Sequence, residues 1–231
     1  MYLYVTVKTL KEYYQDPSFS TKLAIEKATN EPTLVVPFEK LSIALVEELR
    51  PRAIIWGGFY RSFETFEAKQ FIPMFEVIDN ITIPMLCICG SHQLLGKFYQ
   101  HNIYETERYY DDPIRFLTGK DEGPCMPGER AKYFYAHGFY QIHRVKEDPL
   151  FKGLGEDMYL KCLHYAEMKT LPHGFELLAS SEHSKIEAMK HKEKPLYGLQ
   201  FHAERYEEPF FDGKKILENF EEIVQEFWKN R

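Results

Sequence analysis

The chain has few cysteines, four in 231 residues, and two of those are separated only by Ile88. A disulfide framework is thereby excluded, and free thiols suit a reducing compartment. Cys87, Cys89, Cys125 and Cys162 also lack the paired CxxC spacing of a structural zinc site, and His92, His101, His137 and His143 are scattered, so no metal site is expected. Nowhere do about 18 apolar residues follow one another, which argues against a membrane-spanning helix. The start, MYLYVTVKTL, has neither a basic n-region nor an apolar h-region nor a small-residue cleavage site, giving the expectation of a cytoplasmic protein. Positive charge is scarce: the net charge is −6 with no concentrated basic run, which argues against nucleic acid as a partner.

What is present is ordinary for a globular chain, with 44% hydrophobic and 28% charged residues. The length suits one large α/β domain spanning 1–231 more easily than two. Tyr2 to Val7 alternates as a first strand, and a helix is expected from Ser20 to Ala28. Thr33 to Pro37 makes a second strand, Leu41, Ala44, Leu45 and Leu49 recur at helical spacing, and Arg52 to Trp56 gives a third strand ending at Gly57-Gly58. This βαβ alternation predicts a three-layer α/β fold of flavodoxin-like type, with a mostly parallel central sheet and helices on both faces. A helix through Phe66 to Val77 leads to a fourth strand. Residues 101–136 form a Tyr-rich irregular insertion, with the character of a lid, a partner surface or a solvated excursion. Phe139 to Val145, Met158 to His164, Phe175 to Ala179, Lys185 to Met189 and Pro195 to Phe201 then read as successive strands. Lys215 to Trp228 closes the chain as an amphipathic helix with Ile216, Leu217, Phe220, Ile223, Val224 and Phe227 on its apolar face.

The informative stretch is Pro84 to Leu95, PMLCICGSHQLL. A short apolar run bounded by proline reads as a buried strand, and Leu94, Leu95 and Phe98 follow at helical spacing. A residue at such a strand-to-helix turn is held out in a strained conformation and needs small neighbours two positions away on either side. Cys87 and Ser91 meet that need around Cys89. A thiol there sits beside unpaired backbone N–H groups and the positive end of a helix dipole, which favours the thiolate. The competing reading is one more buried core cysteine.

The segment around Cys89 resembles the nucleophile motif GxCxGxQ of the class I glutamine amidotransferases, and Leu199-Gln200-Phe201-His202-Ala203-Glu204 resembles their QFHPE motif. With Gly57-Gly58 near the family's usual distance upstream, the similarity covers nearly the whole chain. The resemblance implies a Cys89-His202-Glu204 triad, with backbone amides of Gly58 and Gly90 as an oxyanion hole. Gln93, Gly57, Leu163 and His164 align with substrate-binding positions. It also implies that no cofactor is needed. His202 and Glu204 are two apart in a segment read as extended, so their side chains should project to one side. Phe59 stands where the family usually has proline, Leu163 where it has serine, and Ala203 where the second motif has proline.

The implied chemistry is acyl transfer: Cys89 attacks a γ-carboxamide, His202 protonates the leaving amine, and water cleaves the γ-glutamyl thioester. Three functions fit these residues. One is a glutaminase subunit that delivers ammonia to a separate synthetase partner. A second is a stand-alone γ-glutamyl hydrolase or peptidase acting on a γ-glutamyl compound. The third is an idle binding or regulatory subunit.

Overall fold

The computed structural model describes residues 1–121 and 123–231, so residue 122, within the insertion expected at 101–136, lies outside it. Among the described residues nine strands form a single sheet. The first half of the chain lays down β1 (Tyr2–Thr6), β2 (Thr33–Pro37), β3 (Ala53–Trp56) and β4 (Met85–Ile88). Between them run α1 (Leu10–Gln15), α2 (Phe19–Thr29), α3 (Ile43–Leu49) and α4 (Ile72–Asn80), and α5 (Gly90–Gln100) follows β4. The second half contributes β5 (Ala136–Arg144), β6 (Asp157–His164), β7 (Phe175–Ser180), β8 (Ala188–His191), β9 (Leu196–Leu199) and α6 (Asp212–Lys229).

The order across the sheet is β2-β1-β3-β4-β9-β8-β7-β5-β6. The first five strands pair in parallel and the rest antiparallel, so the α/β sheet carries an antiparallel extension. Strand periodicity explains the layers. Leu3, Val5, Ile54, Trp56, Met85 and Cys87 face one way, onto Val46 of α3, Met74, Val77 and Ile78 of α4, and Leu94, Leu95 and Phe98 of α5. Tyr2, Tyr4, Ala53, Ile55, Leu86 and Ile88 face the other way, onto Ile25 of α2 and Ile216, Leu217, Phe220 and Val224 of α6. Both faces of the parallel strands are thus covered, and for that reason they read as continuous apolar runs instead of alternating ones.

Some local expectations shift. The helix expected from Phe66 starts late: a 3-10 turn at Ala68–Phe71 precedes α4, with Pro73 accommodated in its first turn, where no backbone donor is needed. The strand expected at Lys185–Met189 forms instead at Ala188–His191, because Ser181 to Ser184 closes a turn through Ser181 N–H to Ser184 O. Thr9 caps α1 with a reciprocal bond from Glu12, adding a short helix ahead of the one expected at Ser20 to Ala28.

The antiparallel extension curls back on itself. Beyond β6 the sheet meets the segment after β9, where His202 N donates to Lys161 O at 2.8 Å. A histidine that follows a central strand is thereby anchored to an edge strand. Among the described residues no helix is long and apolar enough to cross a membrane.

Candidate active site

Three adjacent parallel strands end on one side of the molecule and deliver the candidate residues together. Trp56 pairs with Cys87 and Ile88 with Leu199, so Gly57-Gly58 after β3, Cys89 after β4 and Gln200 to Glu204 after β9 converge at the carboxyl ends of the strands. Open α/β sheets place their ligand sites there.

Cys89 is the turn between β4 and α5. Its backbone lies at φ 53°, ψ −111°, a conformation that costs a non-glycine residue of order 1–3 kcal/mol. The conformation is fixed on both sides: Cys89 N donates to Leu199 O at 2.7 Å, extending the ladder, and Gln93 N donates to Cys89 O at 3.1 Å, opening the helix. The Gly90 N–H, in the first turn of α5, has no intrahelical acceptor and remains a free donor beside the thiol. Cys87 differs in kind. It is fully buried in the core, and burial pushes its thiol well above the usual range, whereas Cys125 is exposed and far along the insertion.

The glycines are required by contact. A Cβ on Gly58 would lie 3.0 Å from His202 Cε1 and 3.2 Å from Cys89 Cβ. One on Gly90 would meet Phe59 at 2.6 Å, so the phenylalanine that stands in the usual proline's place packs directly on the helix start. Gly57 has a different task. Its N–H donates to Val5 O at 3.0 Å and its carbonyl accepts from Ser91 Oγ at 2.5 Å, so it ties the loop to β1 and α5 rather than facing the cleft.

His202 and Glu204 are joined by a 2.7 Å bond between Nδ1 and Oε1. The expectation of an extended segment is corrected here: Ala203–Arg205 is a 3-10 turn, and the turn, not strand alternation, brings the carboxylate back onto the ring. Burial alone would lower the His202 pKa, but the Glu204 carboxylate and the neighbouring Cys89 outweigh it and push it up to about 10. For Glu204, burial is likewise outweighed by His202, which holds its carboxyl below the usual range. The ring is thus stabilised as imidazolium by the Glu204 carboxylate, with Cys89 on its other side.

Gln93 is buried in the first turn of α5. Both of its N–H donors are used, on Ala166 O at 2.7 Å and Gln200 Oε1 at 3.0 Å, leaving its carbonyl oxygen as the group available to a ligand. Leu163 and His164 line the cleft that opens onto Cys89. His164 is itself buried, with Nδ1 2.9 Å from Ala166 O.

Sequence reasoning overlooked several cleft residues. Gln200 approaches Cys89 Sγ at 3.9 Å, and its place in the second motif was the available signal. Asp111, Met126, Arg130 and Tyr135 come from the insertion and line the same cleft. Asp111 is held by the Phe63 N–H and the Tyr165 hydroxyl, and the Arg130 guanidinium lies 5.5 Å from the centre of the Tyr165 ring. Nothing in their spacing announced them. Together these groups bring a thiol at a strained turn and a carboxylate-oriented imidazole beside a free backbone donor, an arrangement suited to acyl transfer.

Comparison with known proteins matches residues 20–223 to the family described as Glutamine amidotransferase class-I. The glutamine-hydrolyzing A subunit of GMP synthase from Methanobrevibacter smithii is 33% identical over 201 residues, covering 86% of each chain. Its counterpart from Methanosphaera stadtmanae is 32% identical over 184 residues, covering 79% of this chain and 80% of its own. Among solved structures, a putative GMP synthase A-subunit protein from Thermoplasma acidophilum superposes with a TM-score of 0.70 at 18% identity, over 100% of this chain and 96% of that one. The glutaminase domain of Trypanosoma brucei CTPS, with bound acivicin, gives 0.66 at 15% identity, over 98% and 94%. At those identities the structural likeness speaks for the fold.

Proposed function

The chain belongs to the class-I glutamine amidotransferase family, and from that premise we propose that it hydrolyses the γ-amide of glutamine through Cys89, His202 and Glu204 and releases ammonia for a separate synthetase. The observation that carries this reading is the pairing of the strained Cys89 turn with a His202 ring that Glu204 orients at 2.7 Å.

The steps follow from the groups present. The Cys89 thiolate attacks the γ-carbonyl carbon, and the carbonyl oxygen becomes an oxyanion held by the N–H groups of Gly58 and Gly90. His202, protonated and steadied by Glu204, gives its proton to the departing nitrogen, which leaves as ammonia. Water then attacks the thioester, returning a proton to His202 and releasing glutamate. Donors aimed at the developing charge stabilise the transition state, and removing one oxyanion donor costs about 10²–10³ in kcat.

The substrate's charged end falls to the insertion. Arg130 offers a guanidinium to the α-carboxylate and Asp111 a carboxylate to the α-ammonium, in a cleft where Leu163 supplies no hydroxyl. The relatives are named as subunits of GMP synthase, which supports a nucleotide-aminating synthetase as the ammonia acceptor. None of these relatives is named for a γ-glutamyl conjugate, and no feature of the cleft favours that reading.

The test is intact-protein mass spectrometry after exposure to acivicin, with the Cys89→Ala protein alongside. A single adduct that is absent from Cys89→Ala is expected. An adduct that persists in the variant, or maps to Cys125, refutes the nucleophile. Glutamate release that rises when a synthetase is added supports the delivery role.

A further inference from the structure

Behind the cleft, the curled antiparallel strands enclose a second group of chemically active side chains that the proposed reaction does not use. β6 alternates strictly, so Met158, Leu160, Cys162 and His164 all point inward while their neighbours face outward. Glu187, just ahead of β8, joins them from across the curl. Ligand atoms of Cys162, His164 and Glu187 lie within 4.8 Å of one another, and all three residues are at least 95% buried.

The hydrogen bonding of this group is incomplete in a specific way. His164 Nδ1 faces Ala166 O at 2.9 Å, where only a ring N–H makes a bond, so the lone pair is on Nε2. That Nε2 is buried and has no partner among the described residues. Glu187 accepts from Ser181 Oγ at 2.6 Å through Oε1, while Oε2 is buried with no partner among the described residues. The main chain beneath is firmly held, with Glu187 N donating to Ala179 O at 3.0 Å and Gln200 N to Glu187 O at 2.7 Å. A histidine whose far N–H is fixed by a carbonyl, with its other nitrogen unpartnered and a thiol and a carboxylate close by, is how proteins present imidazole to a metal.

We propose that Cys162, His164 and Glu187 form a binding site for a zinc ion, with a fourth position open toward the cleft that His164 lines. One sulfur, one nitrogen and one oxygen ligand suit tetrahedral zinc, whereas magnesium and calcium require oxygen shells that these residues do not supply. Ligand atoms around such an ion sit roughly 3.3–3.8 Å apart given bonds of about 2.0–2.3 Å, so the three side chains close inward on binding. The ion displaces the proton of the Cys162 thiol to solvent and ties β6 to the start of β8. Sequence spacing gives no warning of the site, because two ligands are alternate residues of one strand and the third lies just ahead of another.

Cobalt(II) is the probe, added to the full chain carrying Cys89→Ala so that the cleft thiol does not contribute. The expected result is saturable binding of one equivalent, with a thiolate-to-cobalt band in the near ultraviolet and tetrahedral bands in the visible. Zinc should displace it stoichiometrically. Cys162→Ser should abolish the thiolate band, Glu187→Gln should weaken binding at least tenfold, and Cys125→Ser should leave it intact. Absence of the band in the parent protein overturns the site, whatever the variants do. Survival of the band in Cys162→Ser, or unchanged affinity in Glu187→Gln, overturns it equally. Such a result would leave a hydrogen-bonded cluster in which Glu187 carries a proton.

Discussion

One methyl group at Gly58 puts the geometry of the cleft to a demanding test. In Gly58→Ala the new carbon would lie 3.0 Å from His202 Cε1 and 3.2 Å from Cys89 Cβ. Carbon atoms in contact settle at about 3.5–4.0 Å, so the nucleophile and the acid must each move by roughly half an ångström. A misplacement of about 1 Å can cost around a hundredfold in rate, so kcat should fall roughly 10- to 100-fold, or about 1.4–2.7 kcal/mol in the barrier. Gly58 does not have a positive φ, so alanine is conformationally permitted there. Replacing glycine reduces the freedom of the unfolded chain, which offsets part of the packing strain, by about 0.4–1 kcal/mol. The signature is therefore a large fall in kcat with little change in Tm. Glutamate release at saturating glutamine measures the first, thermal unfolding the second, and Gly119→Ala serves as control because nothing lies within 4 Å of a Cβ there. A Gly58→Ala protein that folds normally and keeps kcat within twofold of the parent would refute the proposed pairing of Cys89 with His202.

Glu204→Gln keeps the shape but removes the charge that steadies His202, and kcat should drop about 10²- to 10⁴-fold, measured by the same assay. The same variant tests the linkage. His202 is raised from 6.5 to about 10, so its contribution to stability is fully present below 6.5 and is lost as pH rises through 10. Glu204 is lowered from 4.5, so its contribution is present above that pH and is lost on acidification. The Tm gap between parent and Glu204→Gln should be widest near pH 5–6.5 and shrink toward both ends; a gap that widens toward pH 10 contradicts the ion pair. Arg130→Ala should raise KM for glutamine about tenfold or more with kcat nearly unchanged, since it removes a contact made equally in the ground and transition states. An unchanged KM would remove the insertion from substrate binding.

The β-rich run of Tyr2 to Thr6, the apolar runs at Ala53–Trp56 and Met85–Ile88, and the stripe on α6 follow from local patterning, so the layers were legible from the chain alone. Cys89 was legible for a similar reason: a strand ending at a cysteine between small residues, followed at once by a helix, leaves the backbone little choice. His202 and Glu204 were nominated by motif, although their actual approach depends on a 3-10 turn that two-residue alternation does not describe.

What tertiary structure alone decided are the contacts between segments far apart in the chain. The curl that bonds His202 N to Lys161 O, the arrival of Arg130 and Asp111 at a cleft built from other strands, and the meeting of Cys162 and His164 with Glu187 all join such segments. Side-chain periodicity reports which way a residue faces within its own element, and it carries no information about which distant element lies opposite. The sequence by itself thus determined a parallel α/β core with a cysteine at a strained turn. The order of the strands and the curl of the sheet determined what that cysteine meets.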